Sequence, residues 1–415
     1  MPESTDTINR PLCVDLDGTL LRTDTLHEHL LTTFSHAKLQ TILSLKYLFA
    51  GKAKFKAELA KISDFSADHL PVNQRVADFI SQQPSDREKI LVTGATSDIA
   101  SAVAESTGLF TSVIASDDET NLTGDNKRKM LVDQFGEKGF DYIGNDYVDW
   151  PVFESANKAY LISENEKLIA DTKTNYDHVT TMVQNKGKIT DWLKLLRVHH
   201  WAKNLLVFIP LLLEHQIFDS YSFFQSVLCF IAFSLLASMT YILNDLHDIQ
   251  ADRQNAFKSN RPLASGAIPI AAGVKMAALL ALAFLLLLFF LPPLLIGVLV
   301  FYLITTISYT VLIKQILFLD VVTLAALQTM RIIAGIVAID AQWSFWVLSF
   351  SMFLFLSLAL AKRVAELKNL KKENRTESVG RGYAVDDVSI LMPAGVSAGN
   401  ISVLIVAFYL SLIHI

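Results

Sequence analysis

Two cysteines stand in 415 residues, Cys13 and Cys229, one in each half of the chain, which excludes a disulfide framework. No cluster of lysine and arginine forms the basic face that nucleic acid requires, so nucleic acid is not an expected partner. The net charge of −5 says little in a chain with long apolar runs, where the placement of Lys and Arg matters more than their sum. No repeat of fixed period is present. No cleavable leader is expected either: the first apolar run, PLCVDLDGTL at residues 11–20, begins too early and is short and acidic. The N-terminal half is therefore expected to stay in the cytoplasm.

What the chain does have is unevenly spread. It is 52% hydrophobic with a mean hydropathy of +0.37, yet residues 1–190 mix charged and apolar side chains as a soluble domain does. From Asn204 onward apolar runs dominate and the charges gather between them. At about 150 residues per domain the length suggests two or three units.

In the first half, PLCVDLDGTL reads as a short buried strand ending in Asp15, Asp17 and Gly18. Both aspartates fall past the strand end, where open α/β sheets place their chemistry. A second strand, KILVTGATS, reaches Thr93; Lys127 follows in TGDNKRKML, and FDYIGNDYVD ends in Asn145, Asp146 and Asp149. This order resembles the haloacid dehalogenase (HAD) superfamily of phosphatases over about 150 residues, so a Rossmannoid α/β fold is expected. The resemblance implies that Asp15 attacks phosphorus and that Asp17 acts as acid and base on the leaving group. It further implies that Thr93 and Lys127 hold phosphoryl oxygens, with Asp15, Asp17 and Asp149 around Mg²⁺. The chain departs from the family where Gly144-Asn145 replaces the frequent Gly-Asp pair. A retained fold with a regulatory task is the alternative.

Between the first two motifs, KLQTILSLKYLFAGKAKFKAELAKI has near-helical apolar spacing with Lys interleaved. It reads either as a small cap, within a region of about 25–85, or as a basic amphipathic surface on lipid headgroups. Residues 171–190 are polar and read as a linker. The expected boundaries are thus a domain over 1–170, the linker, and a membrane domain over 191–409.

Apolar runs centre on residues 204–213, 222–243, 270–290, 294–312, 318–339, 343–361 and 389–409. Most approach the ~20 residues a helix needs to cross a bilayer. Lys194, Arg197 and Lys203 precede the first run; Arg253, Lys258 and Arg261 follow the second; Lys314 follows the fourth; Lys362 to Arg381 follow the sixth. The alternate loops carry neither Lys nor Arg. The positive-inside rule makes the basic loops cytoplasmic.

At one of those loops stands NDLHDIQADRQNAFKSNRPLASG, residues 244–266. On a helix Asp245, Asp248 and Asp252 step by three and four and share a face, beside Asn244. Grouped carboxylates repel unless a cation joins them, and Mg²⁺ binds few carboxylates plus substrate phosphates. Lys258 and Arg261 are placed to grip remaining phosphate oxygens. The cluster reads as a diphosphate site at the lipid boundary.

This stretch resembles the first aspartate motif of the UbiA superfamily of intramembrane prenyltransferases, over about residues 190–409. An all-α multi-span bundle is implied, with about seven of the superfamily's nine helices present. Such enzymes carry a second acidic motif on a later loop; here LALAKRVAELKNL puts Lys362, Arg363 and Glu366 in that place. With RVHHWAKNLL and GRGY, this resembles the decaprenyl-phosphate phosphoribosyltransferase branch. The resemblance implies transfer of 5-phosphoribose from phosphoribosyl pyrophosphate (PRPP) to a polyprenyl phosphate in the cell inner membrane. It implies Asn244, Asp245, Asp248, Asp252, Lys258 and Arg261 for metal and PRPP. Lys362, Arg363 and Lys203 would hold phosphate, with Tyr309, Lys314, Arg381 and Tyr383 as lesser candidates. The HAD half would then remove the 5-phosphate. Prenyl transfer to an aromatic or other lipid acceptor, with a regulatory HAD half, is the alternative. A lipid-binding scaffold is a third reading, and a homo-oligomer stays open.

His199 and His200 beside Trp201 read equally as interfacial anchors or substrate contacts. Arg331, within the fifth run, must face the bundle interior or a wet cavity. The last residues, LSLIHI, read like a translated sequencing adapter, so residues 410–415 are expected to be a non-native tail of a shortened chain.

Overall fold

The computed structural model describes residues 10–36, 67–117, 121–183, 188–372 and 382–413, with scattered positions between 40 and 62. They form two compact units, Met1–Leu196 with Thr240–Ala277, and Arg197–Met239 with Ala278–Ile415.

The first unit is built on a six-stranded parallel sheet. Its strands are β1 (Leu12–Val14), β2 (Lys89–Thr96), β3 (Ser112–Ser116), β4 (Asp141–Gly144), β5 (Ala159–Ser163) and β6 (Val179–Val183), in the order β3-β2-β1-β4-β5-β6. Parallel strands covered on both faces read as continuous apolar runs, and alternate residues here serve two cores. Leu12, Val14, Leu91 and Ile143 enter one; Cys13, Ile90, Val92 and Tyr142 enter the other. Cys13 lies in register with Ile90 on one side and Tyr142 on the other. The C-terminal ends of β1, β2 and β4 therefore come together, and with them the expected site.

The stretch 171–190, expected to be a linker, is largely part of this unit. Asn165 caps helix Glu166–Asn175 by accepting from the Lys167 and Leu168 amides, and β6 then pairs with β5 along five residues. The polar threonines of VTTMV on an edge strand hid it from the hydrophobic pattern. Helices Thr25–His36 and Gln74–Ser81 lie within the region of about 25–85 expected to hold the cap, while most of KLQTILSLKYLFAGKAKFKAELAKI lies outside the described residues.

Among the described residues, six helices are long and apolar enough to cross a membrane: Ser220–His247, Ile270–Leu288, Pro293–Val311, Leu319–Ala338, Phe345–Lys372 and the segment Val385–Leu412. The run expected at 204–213 is not among them. It forms a 3₁₀ stretch, Val198–Phe208, followed by a five-residue helix, Ile209–Leu213, with Pro210 in its first turn. Residues 410–413 simply continue the last helix, which runs to Ile413.

In the second unit Leu319–Ala338 is the central helix, with most of its residues buried. Its small residues let neighbours approach closely: a side chain on Gly335 would strike the Val207 carbonyl. Val207, Leu211, Phe233, Leu236, Leu295 and Leu299 close the core around it. Large apolar side chains elsewhere point outward, Phe289 at 85% exposure and Phe301 at 62%. A bilayer suits these faces better than water does.

Candidate functional site

At the sheet edge, Asp15 follows β1, and its amide donates to the Ile143 carbonyl at 2.9 Å. Its Oδ1 accepts from Lys127 Nζ at 2.6 Å, and Oδ2 from Thr19 Oγ1 at 3.1 Å. Lys127 projects from helix Asp125–Phe135 and also donates to Tyr142 Oη at 2.9 Å. Asp17 Oδ1 accepts from the Thr25 amide at 2.7 Å. Burial raises Asp15 to about 6 against the opposing Lys127 charge. Burial and the Asp24 charge raise Asp17 to about 7, opposed by the Thr25 amide. For Lys127, burial alone would lower the ammonium, but Asp15 and Asp149 outweigh it and the net shift is upward. The carboxylate–ammonium arrangement expected from the sequence is therefore assembled.

Two residues, Thr93 and Asp149, differ from expectation. Thr93 is fully buried, and its hydroxyl accepts from the Ala95 amide at 2.9 Å; the next residue, Gly94, reaches the cavity instead. Asp149 is largely occupied with its own turn: Oδ2 accepts from the Asn145 and Asp146 amides at 2.9 and 3.2 Å, and Oδ1 from Tyr142 Oη at 2.8 Å. Asn145, standing where an aspartate is frequent, lays its carboxamide over Gly18 (φ +75°), where any Cβ would collide with Nδ2. A cavity of about 440 Å³ opens over this edge, bordered by Asp15, Asp17, Lys127 and Asn145. Arg22 and Pro269 also border it, and the sequence pattern marked neither.

The aspartate motif belongs to the same unit. Its carboxylates were expected on one helix; the structure breaks that helix. Ser220–His247 ends before Asp248, and Ile249–Gln254 begins after it. Asp245 and Asp252 still converge because they lie about two turns apart. Arg261 Nη1 donates to Asp245 Oδ1 at 3.0 Å and to Asp252 Oδ2 at 2.5 Å. Asp252 Oδ1 is buried without a hydrogen bond, with the Lys258 ammonium 3.7 Å away. Asp248 sits half-buried at the break, and Asn244 accepts its amide at 2.9 Å.

One charge of the motif escaped the sequence reading. Arg253 donates to Glu28 from both terminal nitrogens, at 2.9 and 2.6 Å, and from Nε to the Ala264 carbonyl at 3.0 Å. Thr23 Oγ1 adds a bond to Glu28 at 2.6 Å. Nothing in the spacing of TDTLHEHLL distinguishes Glu28 from a solvated helix residue.

In the second unit, Arg363 is not free to hold a lipid phosphate as expected. It is 1% exposed, pairs with Asp320 at 2.8 Å and with Glu366, and lies over the Tyr383 ring. Tyr309 donates to the same Asp320 at 2.7 Å. Two of the lesser candidates are therefore drawn into this ion-pair cluster. Lys362 and Lys203 remain exposed, and Arg381 lies outside the described residues. Arg331 faces the interior as expected, donating to Asn204 Oδ1 at 2.9 Å and Tyr302 Oη at 2.8 Å. Trp201 anchors the RVHHWAKN stretch through a 3.0 Å bond to Ser238.

Among the described residues no three His, Cys, Asp or Glu side chains gather as a metal cluster. Mg²⁺ does not need three, because it commonly takes one or two carboxylates and completes its shell with water and substrate phosphate. Asp245 and Asp252, which meet on one guanidinium while a buried carboxylate oxygen stays unbonded, fit that donor set.

Comparison with known proteins agrees with the membrane half. Residues 206–413 match the UbiA prenyltransferase family. The uncharacterized protein y4nM of Sinorhizobium fredii is 34% identical over 97% of this chain and 78% of its own. The decaprenyl-phosphate phosphoribosyltransferase of Mycolicibacterium smegmatis is 33% identical over 44% of this chain and 59% of its own. The structure of a UbiA homologue from Archaeoglobus fulgidus, bound to DMAPP and Mg²⁺, aligns with 52% of this chain and 77% of its own at 17% identity and a TM-score of 0.43. With six span-length helices and a family match over half its length, the chain belongs to the UbiA prenyltransferase family, as a multi-pass membrane transferase carrying an N-terminal α/β domain.

Proposed function

We propose that the chain transfers 5-phosphoribose from PRPP to a polyprenyl phosphate, and that its α/β domain, as an HAD-type phosphatase, removes the 5-phosphate from the product. The observation that carries the transferase reading is the convergence of Asp245 and Asp252 on Arg261 beside an unbonded buried carboxylate oxygen. Basic Lys362 stands where the family's prenyl-diphosphate enzymes carry further carboxylates, which favours a lipid monophosphate over a second metal-bound diphosphate. Similarity to the mycobacterial phosphoribosyltransferase supports the same substrate class. The Lys and Arg distribution supports a cytoplasmic position for both carboxylate sites.

Asp245 and Asp252 would hold Mg²⁺, which when bound would neutralise charge on the pyrophosphate. Arg261, released from the two carboxylates, and Lys258 grip the remaining diphosphate oxygens. Asp248, at the helix break, orients the group. Lys362 and Lys203 hold the lipid phosphate. One of its oxygens attacks ribose C1 as the bond from C1 to the pyrophosphate oxygen breaks, and that electron pair leaves with pyrophosphate. No base is needed, since the attacking phosphate is already ionised.

In the α/β domain Asp15 attacks phosphorus while the ester oxygen departs, taking a proton from Asp17. Lys127 neutralises the transferring phosphoryl group. Water then cleaves the aspartyl-phosphate as Asp17 accepts its proton. Titration calorimetry of the purified protein with PRPP and Mg²⁺ tests the first site. Metal-dependent binding that Asp252→Asn abolishes is expected, and absence of PRPP binding by the wild type would defeat the reading.

A further inference from the structure

The cavity over Asp15 is not built from the sheet edge alone. The loop that follows the aspartate motif supplies Pro269, one residue before Ile270 opens a span-length helix. The same loop is locked to the α/β domain. Gly266 (φ +68°) approaches so closely that a Cβ there would meet Arg22 Cβ and the Arg22 carbonyl. Arg253 reaches back to Glu28 from the other end of the loop. Between these anchors Arg22 borders the cavity, its amide donating to the Pro71 carbonyl at 2.8 Å. Its Nε is buried and has no hydrogen-bond partner among the described residues.

A buried guanidinium nitrogen without an acceptor is costly unless a ligand completes it. The nucleophile's own phosphoryl group is served by Lys127. Arg22 is thus a second cation on a cavity that already has the one its reaction needs. A substrate with one phosphate would leave it idle. A substrate with a second anionic group would satisfy it.

We propose that Arg22 is a specificity-determining residue of the Asp15 cavity, which recognises the phosphodiester joining sugar to lipid in a membrane-anchored phosphomonoester. This deepens the phosphatase reading given above and rests on it. Pro269 closes the wall beside Arg22, so the cavity that cleaves the monoester is finished by the loop leading into the membrane helix. The α/β domain is accordingly selective for lipid-linked substrate over soluble sugar phosphates.

The test uses full-length protein in detergent with two substrates, farnesyl-phosphoryl ribose 5-phosphate and p-nitrophenyl phosphate, the second lacking a further anion. Arg22→Met keeps the side-chain stem that packs on Gly266 and removes the charge; Arg22→Lys keeps the charge. Arg22→Met should raise KM for the lipid substrate by about tenfold to a hundredfold, the scale of a lost charge-assisted bond. It should leave p-nitrophenyl phosphate hydrolysis within about twofold, and Arg22→Lys should recover part of the loss. Equal loss on both substrates, or loss on neither, would overturn the role of Arg22 while leaving the phosphatase standing. Wild-type protein that hydrolyses neither substrate would overturn the phosphatase and the proposal together.

Discussion

Among single residues, the charged side chains divide into those proposed to bind substrate and those that bind one another. Asp15, Lys127, Asp245, Asp252 and Arg261 were legible because each stands in a spaced motif whose chemistry needs that residue type. Arg363 was misread for an instructive reason. In LALAKRVAELKNL, Lys362 and Arg363 look alike, but adjacent helix positions point about 100° apart. One is exposed and the other meets Asp320 inside the bundle. Asp320 itself follows a turn with no motif to mark it. Removing one partner of a buried pair leaves an uncompensated charge at a cost of about 3–5 kcal/mol. Arg363→Met should therefore lower the thermal stability of the purified protein sharply, whereas Lys362→Met should leave stability within about 0.5 kcal/mol, as exposed substitutions generally do, and weaken lipid-phosphate binding. Equal melting curves for the two variants would contradict this division.

At the element scale, apolar runs located six membrane helices and three of the six strands, because buried strands and lipid-facing helices declare themselves through hydrophobicity. The failures were elements whose hydrophobicity is ambiguous. Strand β6 is a threonine-rich edge strand, and the 204–213 run is broken by Pro210 and begins in a 3₁₀ stretch. The break at Asp248 was also invisible, since helical spacing alone would have kept the three aspartates on one cylinder. The loop after the motif depends on Gly266, whose left-handed backbone costs other residues about 1–2 kcal/mol. Gly266→Ala adds a Cβ against the Arg22 backbone, so destabilisation of that size or greater is expected in thermal unfolding. A neutral result would mean that the loop does not sit against Arg22 as described.

At the scale of the whole molecule, residues 240–277 fold with the α/β domain rather than with the remaining membrane helices. Sequence reading placed a boundary near residue 170–190 because composition changes there; the Glu28–Arg253 pair spans 225 positions and leaves no local trace. The α/β domain alone, residues 1–196, would leave Glu28 without its partner Arg253. It should express as an unstable fragment, and Glu28→Gln should recover stability in the fragment while destabilising the full-length chain. A fragment that melts as cooperatively as the intact unit, with no gain from Glu28→Gln, would show that the domain is independent.

PRPP is the donor proposed for this membrane transferase. Membranes containing the protein, supplied with labelled PRPP, Mg²⁺ and a polyprenyl phosphate, test it directly when lipid products are resolved by mass. Lipid-linked ribose is predicted. It should carry the 5-phosphate when Asp15→Asn is present, and should fall by ~100-fold or more with Asp252→Asn, the rate equivalent of a few kcal/mol of lost charge stabilisation. No labelled lipid from PRPP, together with product from a prenyl diphosphate and a lipid acceptor, would contradict the claim.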